Sequence, residues 1–166
     1  VILASYNYTS TSDTTPPYFT LNQTNQSTIR KGQWINFSEV VTDETNLSGY
    51  IFSINQTSTW VNASFATLSG TNATMSNISN ITSSRGQTVE WRFYANDSNN
   101  NWNQSLLHYF VVANTVPNNT TLLTPANAST TTNRQPNFTW QQIYDLDTTD
   151  NVIYNLYVSK FADFSS

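Results

Sequence analysis

The chain has 166 residues, 14 % of them aromatic and only 10 % charged, with a net charge of −4 and no cysteine. That length encloses a core of ordinary size. Lys and Arg stand singly apart from Arg30 and Lys31, which argues against a nucleic-acid or anionic-membrane partner, and the missing cysteine excludes disulfides, thiol catalysis and thiolate metal sites.

In chain order, "VILASYNYTS" (1–10) reads as the last strand of a preceding domain or as a free strand able to complete a neighbour's sheet. It lacks a charged lead or cleavage pattern, and no apolar run nears the roughly 18 residues that span a bilayer. The expectation is a mature form or fragment whose anchor lies elsewhere, with no membrane insertion in this segment. "SDTTPP" is a Pro-stiffened linker, followed by the strand candidate "YFTLN". "QWINFSEVV" places Ile35, Phe37 and Val41 on one face and Asn36 and Ser38 on the other. Glu39 breaks that pattern between Phe37 and Val41, which marks a bulge or a buried ion pair. "SGYIFSIN", "WVNASFATL", "TVEWRFYAN" and "SLLHYFVVA" follow, divided by Ser48 and Gly49, Ser69 and Gly70, Arg85 and Gly86, and "NDSNNN". In "TVEWRFYAN", Val89, Trp91, Phe93 and Ala95 alternate with Glu90, Arg92 and Tyr94. After the linker "NTVPNN" come "TTLLTP", "PNFTWQQI" and "VIYNLYVS". No segment has a helical stripe, so the fold class is all-β.

Asn followed two positions later by Ser or Thr recurs through these segments, most densely in "NATMSNISNITSS" (72–84). With 23 Asn and 46 Ser plus Thr in the chain, chance pairing gives roughly 6 such triplets. There are 16, none with Pro in the middle: Asn7, Asn22, Asn25, Asn36, Asn46, Asn55, Asn62, Asn72, Asn77, Asn80, Asn96, Asn103, Asn118, Asn119, Asn127 and Asn137. The excess reads as N-glycosylation, which places the chain across a membrane, outside the cell. Attached sugar would then supply the hydration that charge supplies in ordinary domains, where about 25 % of residues are charged. The bland alternative is a polar surface rich in amides and hydroxyls. A strand explains the triplet locally, because i and i+2 face one way: "NFS" (36–38) and "NFT" (137–139) expose Asn and hydroxyl and bury Phe. "NISNIT" resists this, since Ile78 and Ile81 are three apart and share a face only across a bulge or strand end.

"PYFTLNQTNQSTIRKGQWINFS" from Pro17 aligns with "PNNTTLLTPANASTTTNRQPNFTW" from Pro117. The offset, about 100 residues, is the length of one immunoglobulin-like sandwich. The expected organisation is a terminal or donor strand with linker at 1–13, an immunoglobulin-like β-sandwich at 14–114, and an incomplete second sandwich at 115–166. On "SDTTPPYFTL", "LSGYIFSINQTSTWVNASF" and "VEWRFYANDSNNNWNQS" the chain resembles the repeated immunoglobulin-like modules of large archaeal cell-surface proteins. "LLTPANAS", "PNFTW" and "YDLDTTDNVIYNLYVS" resemble the first half of a fibronectin type III-like domain. The resemblance implies tandem sandwiches in a surface stalk, surface layer, adhesin or pilus-like filament, and does not choose among them.

Catalysis has little material: His108 sits alone in an apolar strand, no G-x-S-x-G elbow or phosphate loop can be built, and the chain reads as no enzyme and without a cofactor. Asp13, Asp43 with Glu44, and Asp97 map to one pole of the first sandwich, and Asp145, Asp147 and Asp150 to the matching loop of the second. Two readings stay open, a weak Ca²⁺ site at the domain junction or ordinary Asp-rich turns. Trp34, Trp60 and Trp102 lie at strand ends or loops, where they could stack on sugars, while Trp91 and Trp140 read as core. The function expected is a structural, heavily N-glycosylated extracellular protein whose partners are other copies or domains of the same surface protein, joined by strand donation from residues 1–10. The alternative is an adhesin or carbohydrate-binding module, for which a sugar-specific signal lost on Trp60→Ala would speak.

Overall fold

The computed structural model describes residues 12–126 and 129–159. Asn7, Asn127 and the expected donor strand 1–10 lie outside them. The described chain is all-β, built from antiparallel strands with no helix. It forms two compact units, Val1–Ala113 and Asn114–Ser166.

The first unit holds β1 (Tyr18–Thr24), β2 (Trp34–Thr42), β3 (Leu47–Asn55), β4 (Trp60–Asn62), β5 (Ala66–Thr67), β6 (Asn72–Asn80), β7 (Thr88–Asp97), β8 (Trp102–Gln104) and β9 (His108–Val111). One sheet has the order β1-β2-β6, the other β4-β3-β7-β8, with β5 also on β3 and β9 also on β7. Their inner faces meet in a sandwich-like core. Alternation sets those faces: along β2 Ile35, Phe37 and Val41 are buried and Asn36 and Ser38 half-buried, and along β7 Val89, Trp91, Phe93 and Ala95 are buried. Phe37 is the centre of the cluster, its ring 5.1 Å from Phe52, 5.1 Å from Trp91 and 6.2 Å from Phe110. Burial of each such side chain stabilises the fold by about 1.5–3 kcal/mol.

Two irregularities left open by the pattern have definite answers. Ile78 is exposed and Ile81 fully buried, because β6 ends at Asn80 and frees the chain to turn inward. Glu39 does lie beside a bulge, but the extra residue is on the partner strand: Thr20 faces Val40 and Asn22 faces Glu39, leaving Leu21 unpaired at φ 48°. Tight packing also explains Gly49 on β3. A Cβ there would overlap the Phe65 ring and lie 2.6 Å from the Ala66 carbonyl oxygen.

The segment "WVNASFATL", expected as one strand, splits into β4 and β5: after the Ala63 N–H donates to the Phe52 carbonyl at 2.8 Å, Ser64 and Phe65 separate two pairings with β3. β8, which follows the asparagine run 96–101, pairs with Tyr94, Ala95 and Asn96 of β7 although its own sequence has no alternation of apolar residues.

The second unit pairs β10 (Leu122–Thr124) with β11 (Thr139–Trp140). Residues 152–159, expected as a strand, are not extended into a ladder. Trp140, expected as core, is 39 % exposed and packs against Tyr154 at 5.6 Å between ring centres. Two short strands cannot cover both faces of a ladder, so Leu122, Leu123, Ile153 and Leu156 also remain exposed.

Candidate functional site

Two features carry chemistry beyond packing: the distribution of the sequon asparagines over both units, and an aspartate cluster at one pole of the first. Among the 14 sequon asparagines in the described residues, Asn22, Asn25, Asn46, Asn62, Asn72, Asn103, Asn118, Asn119 and Asn137 are exposed. Asn36, Asn55, Asn77 and Asn80 are half-buried, and Asn96 is buried. The split follows the strands. Asn72 faces outward at the start of β6, whereas Asn96 falls where β7 pairs with both β3 and β8 and is covered from both sides.

Hydrogen bonding separates them further, because sugar attachment consumes one N–H of the side-chain amide. The amide nitrogen of Asn80 donates to the Gly32 and Gln33 carbonyls, at 3.0 and 3.4 Å, and that of Asn103 donates to the Pro17 carbonyl at 2.8 Å. The Asn96 amide donates to Asn100 Oδ1. In Asn25 and Asn46 the carbonyl oxygen is the engaged atom, accepting from the backbone N–H of Asn36 and Gly70 and leaving the nitrogen for substitution.

At the pole where β1 begins and β2 and β7 end, one carboxylate oxygen each from Asp13, Asp43 and Asp97 lie within 4.8 Å of one another. Antiparallel pairing places them together although 54 residues separate Asp43 from Asp97 in the chain: Tyr18 faces Thr42 and Leu47 faces Asp97. Each side chain spends one oxygen on its own loop. Asp13 Oδ1 accepts the Thr15 N–H at 2.9 Å, Asp43 Oδ1 those of Thr45 and Asn46 at 2.9 and 3.0 Å, and Asp97 Oδ1 those of Asn99 and Asn101 at 2.9 and 2.8 Å. Asp97 Oδ2 accepts from the Asn101 amide at 2.7 Å. Oδ2 of Asp13 and of Asp43 is buried and receives no hydrogen bond from the described residues. The Thr15 N–H, helped by the Thr45 hydroxyl, holds Asp13 below the ordinary carboxylate value.

Glu44, expected beside Asp43, is exposed and outside the cluster. Asp145 and Asp147 are engaged within their own unit. The Thr115 N–H and hydroxyl donate to Asp147 Oδ2 and the hydroxyl also to Asp145 Oδ1, all at 2.7 Å, and the Asp150 N–H donates to the Asp147 carbonyl. The carboxylates of Asp145 and Asp147 thus organise their own loop.

His108 is a half-buried strand residue on β9. Its Nε2 lies 3.5 Å from Glu39 Oε2, its Nδ1 is 2.9 Å from the Asn22 amide, and its ring stacks on Trp91 at 4.4 Å. Glu39 thus has a partner on the opposite sheet. Burial pushes the Glu39 carboxyl up, against the pull of hydrogen bonding from Ser105 and the charge and hydrogen bond of His108. Among the aromatics, Trp91 is buried as expected, Trp34 is exposed, Trp60 lies under the Arg92 guanidinium at 4.9 Å, and Trp102 packs edge-on to Phe65 at 6.2 Å. No helix of the described residues is long and apolar enough to cross a membrane.

No family profile, curated protein or solved structure matches the chain.

Proposed function

We propose that this chain is a structural, heavily N-glycosylated extracellular protein, built from tandem immunoglobulin-like sandwiches, serving in a cell-surface stalk, surface layer or filament. The observation that carries the reading is the outward placement of the sequons: nine of the 14 described asparagines are exposed and Asn96 is the one that is buried. Exposure is the condition that sugar attachment requires, and the excess of 16 sequons over the roughly 6 expected from composition is what exposure by itself does not supply. Strand order supports the fold half of the proposal. The first, second and sixth strands form one sheet and the third and seventh lie in the other, the division found between the A, B, E and C, F strands of immunoglobulin domains.

On this reading the role is mechanical. Each sandwich buries its own core, Pro-containing linkers limit hinge motion, and sugars shield sheet edges such as β4 from pairing with other chains. Sugar on Asn62, which is exposed on β4, would give that shielding. Assembly with further copies through residues 1–10 belongs to the same proposal, and deletion of that segment should abolish polymer formation.

The test is glycopeptide mapping with intact-mass measurement on material from the native organism. A mass far above 18.7 kDa per copy of this segment, with sugar at Asn25, Asn46, Asn62 and Asn72, is the expected result. Bare asparagines at these four positions would remove the proposal.

A further inference from the structure

The geometry points to a Ca²⁺ site formed by Asp13, Asp43 and Asp97 at the β1 end of the first sandwich. The cluster alone would be ordinary loop chemistry, since each Oδ1 is used to hold a turn. What the turns leave over indicates a ligand. Asp43 is 4 % exposed, yet its Oδ2 is a buried anionic oxygen with no donor among the described residues; Asp13 is only half-buried, but its Oδ2 atom is covered as well. A buried carboxylate oxygen is ordinarily compensated by a donor or a cation. Here no Lys, Arg or His is a partner of any of the three carboxylates in the described interactions, whose donors are backbone N–H groups, the Asn101 amide and, toward Asp13, the Thr45 hydroxyl.

The chemistry selects a hard divalent cation with oxygen ligands, and Ca²⁺ over Mg²⁺. Three carboxylates from three loops give a shell of uneven geometry, which Ca²⁺ accepts with six to eight ligands at 2.3–2.6 Å, whereas Mg²⁺ needs a near-ideal octahedron. The site is self-contained in the first unit and does not draw on Asp145, Asp147 or Asp150. It also ties the chain entering β1 to the loops after β2 and β7, because the Asp13 carbonyl already accepts from the Asn99 and Asn101 amides at 3.2 and 3.1 Å. Binding of the ion therefore adds to the hold on the segment leading into the sandwich.

The experiment is calorimetric titration of the whole chain with CaCl2, alongside thermal melts in Ca²⁺, in Mg²⁺, and in KCl matched for ionic strength with EDTA. Expected is a saturable heat with Kd of about 10⁻⁴–10⁻³ M, the range of extracellular calcium modules. At about ten times Kd the folding equilibrium constant rises about elevenfold, visible as a higher Tm in Ca²⁺ than in either control. Asp43→Asn should weaken binding at least tenfold. Asp13→Asn, which keeps an oxygen for the Thr15 N–H, serves as the second variant should Asp43→Asn fail to fold, and should weaken binding likewise. No heat and no Tm change at about 10 mM Ca²⁺, ten times the weak end of that range, would overturn the site. So would equal stabilisation by Mg²⁺ or KCl, which is charge screening, or unchanged affinity in a folded Asp13→Asn. None of these outcomes depends on glycan, so the site and the glycoprotein reading stand or fall separately.

Discussion

Phe37 offers the sharpest test of the sandwich, because it is also the middle residue of the Asn36 sequon. It is fully buried, and its ring meets Phe52 and Trp91 at 5.1 Å and Phe110 at 6.2 Å, spanning both sheets. Truncation to Ala removes the ring and leaves a cavity between sheets that are fixed by their ladders and cannot close over it. The cost is about 3–5 kcal/mol, against a total of about 5–15 kcal/mol for a domain of this size. Each kcal/mol lowers Tm by about 4–8 °C in a domain of about 100 residues, so Phe37→Ala should lower it by about 12–40 °C. Trp34, three residues earlier on β2 and 67 % exposed, is the control, and its change to Ala should stay within about 0.5 kcal/mol. Guanidinium unfolding followed by circular dichroism measures both, and an unchanged m-value would show that the native and denatured states are otherwise comparable. Phe37→Leu gives a graded step of under about 1.5 kcal/mol if the Ala variant is too unstable to purify. A loss below about 1.5 kcal/mol for Phe37→Ala, or an equal loss for Trp34→Ala, would refute the assignment of faces on β2.

Other outcomes follow from particular contacts. Gly49→Ala should destabilise by about 1–3 kcal/mol in the same unfolding assay, since the Ala66 carbonyl 2.6 Å from the new Cβ is backbone and cannot rotate away. Glu39 is held above its ordinary value of 4.5 chiefly by burial, so the folded chain binds its proton more tightly than the unfolded chain. The associated stability is complete below 4.5 and is lost as pH rises through the folded value. Glu39→Gln should therefore gain on the parent chain as pH is raised from 4 to 7 in paired thermal melts, while a constant difference would show that the carboxyl is not the titrating group. Glycopeptide mapping should find Asn80 and Asn96 less occupied than Asn62 and Asn72, because the Asn80 amide is engaged by two backbone carbonyls and Asn96 is buried. Equal occupancy would show that sugar is added before these amides are sequestered.

The sequence by itself determined the strand class and much of the core. The two-residue period of 88–96 and 33–41 fixes which side chains of β7 and β2 turn inward, because successive Cβ atoms alternate across a strand whatever it pairs with. Sequon identities and the shortage of charge are likewise written in the chain. Pairing was not. β8 has no alternating pattern and exists because the edge of β7 accepts it, and 152–159 has the composition of a strand but no ladder. Long-range neighbours also decided the chemistry of the acids. Glu39 could be seen as misplaced, but its partner His108 is 69 residues away and on the other sheet. Six aspartates looked alike in sequence. Tertiary structure separates Asp145 and Asp147, which accept from Thr115, from Asp13, Asp43 and Asp97, which converge and of which Asp13 and Asp43 keep a covered oxygen, since convergence depends on where strands end in space and only the fold sets that.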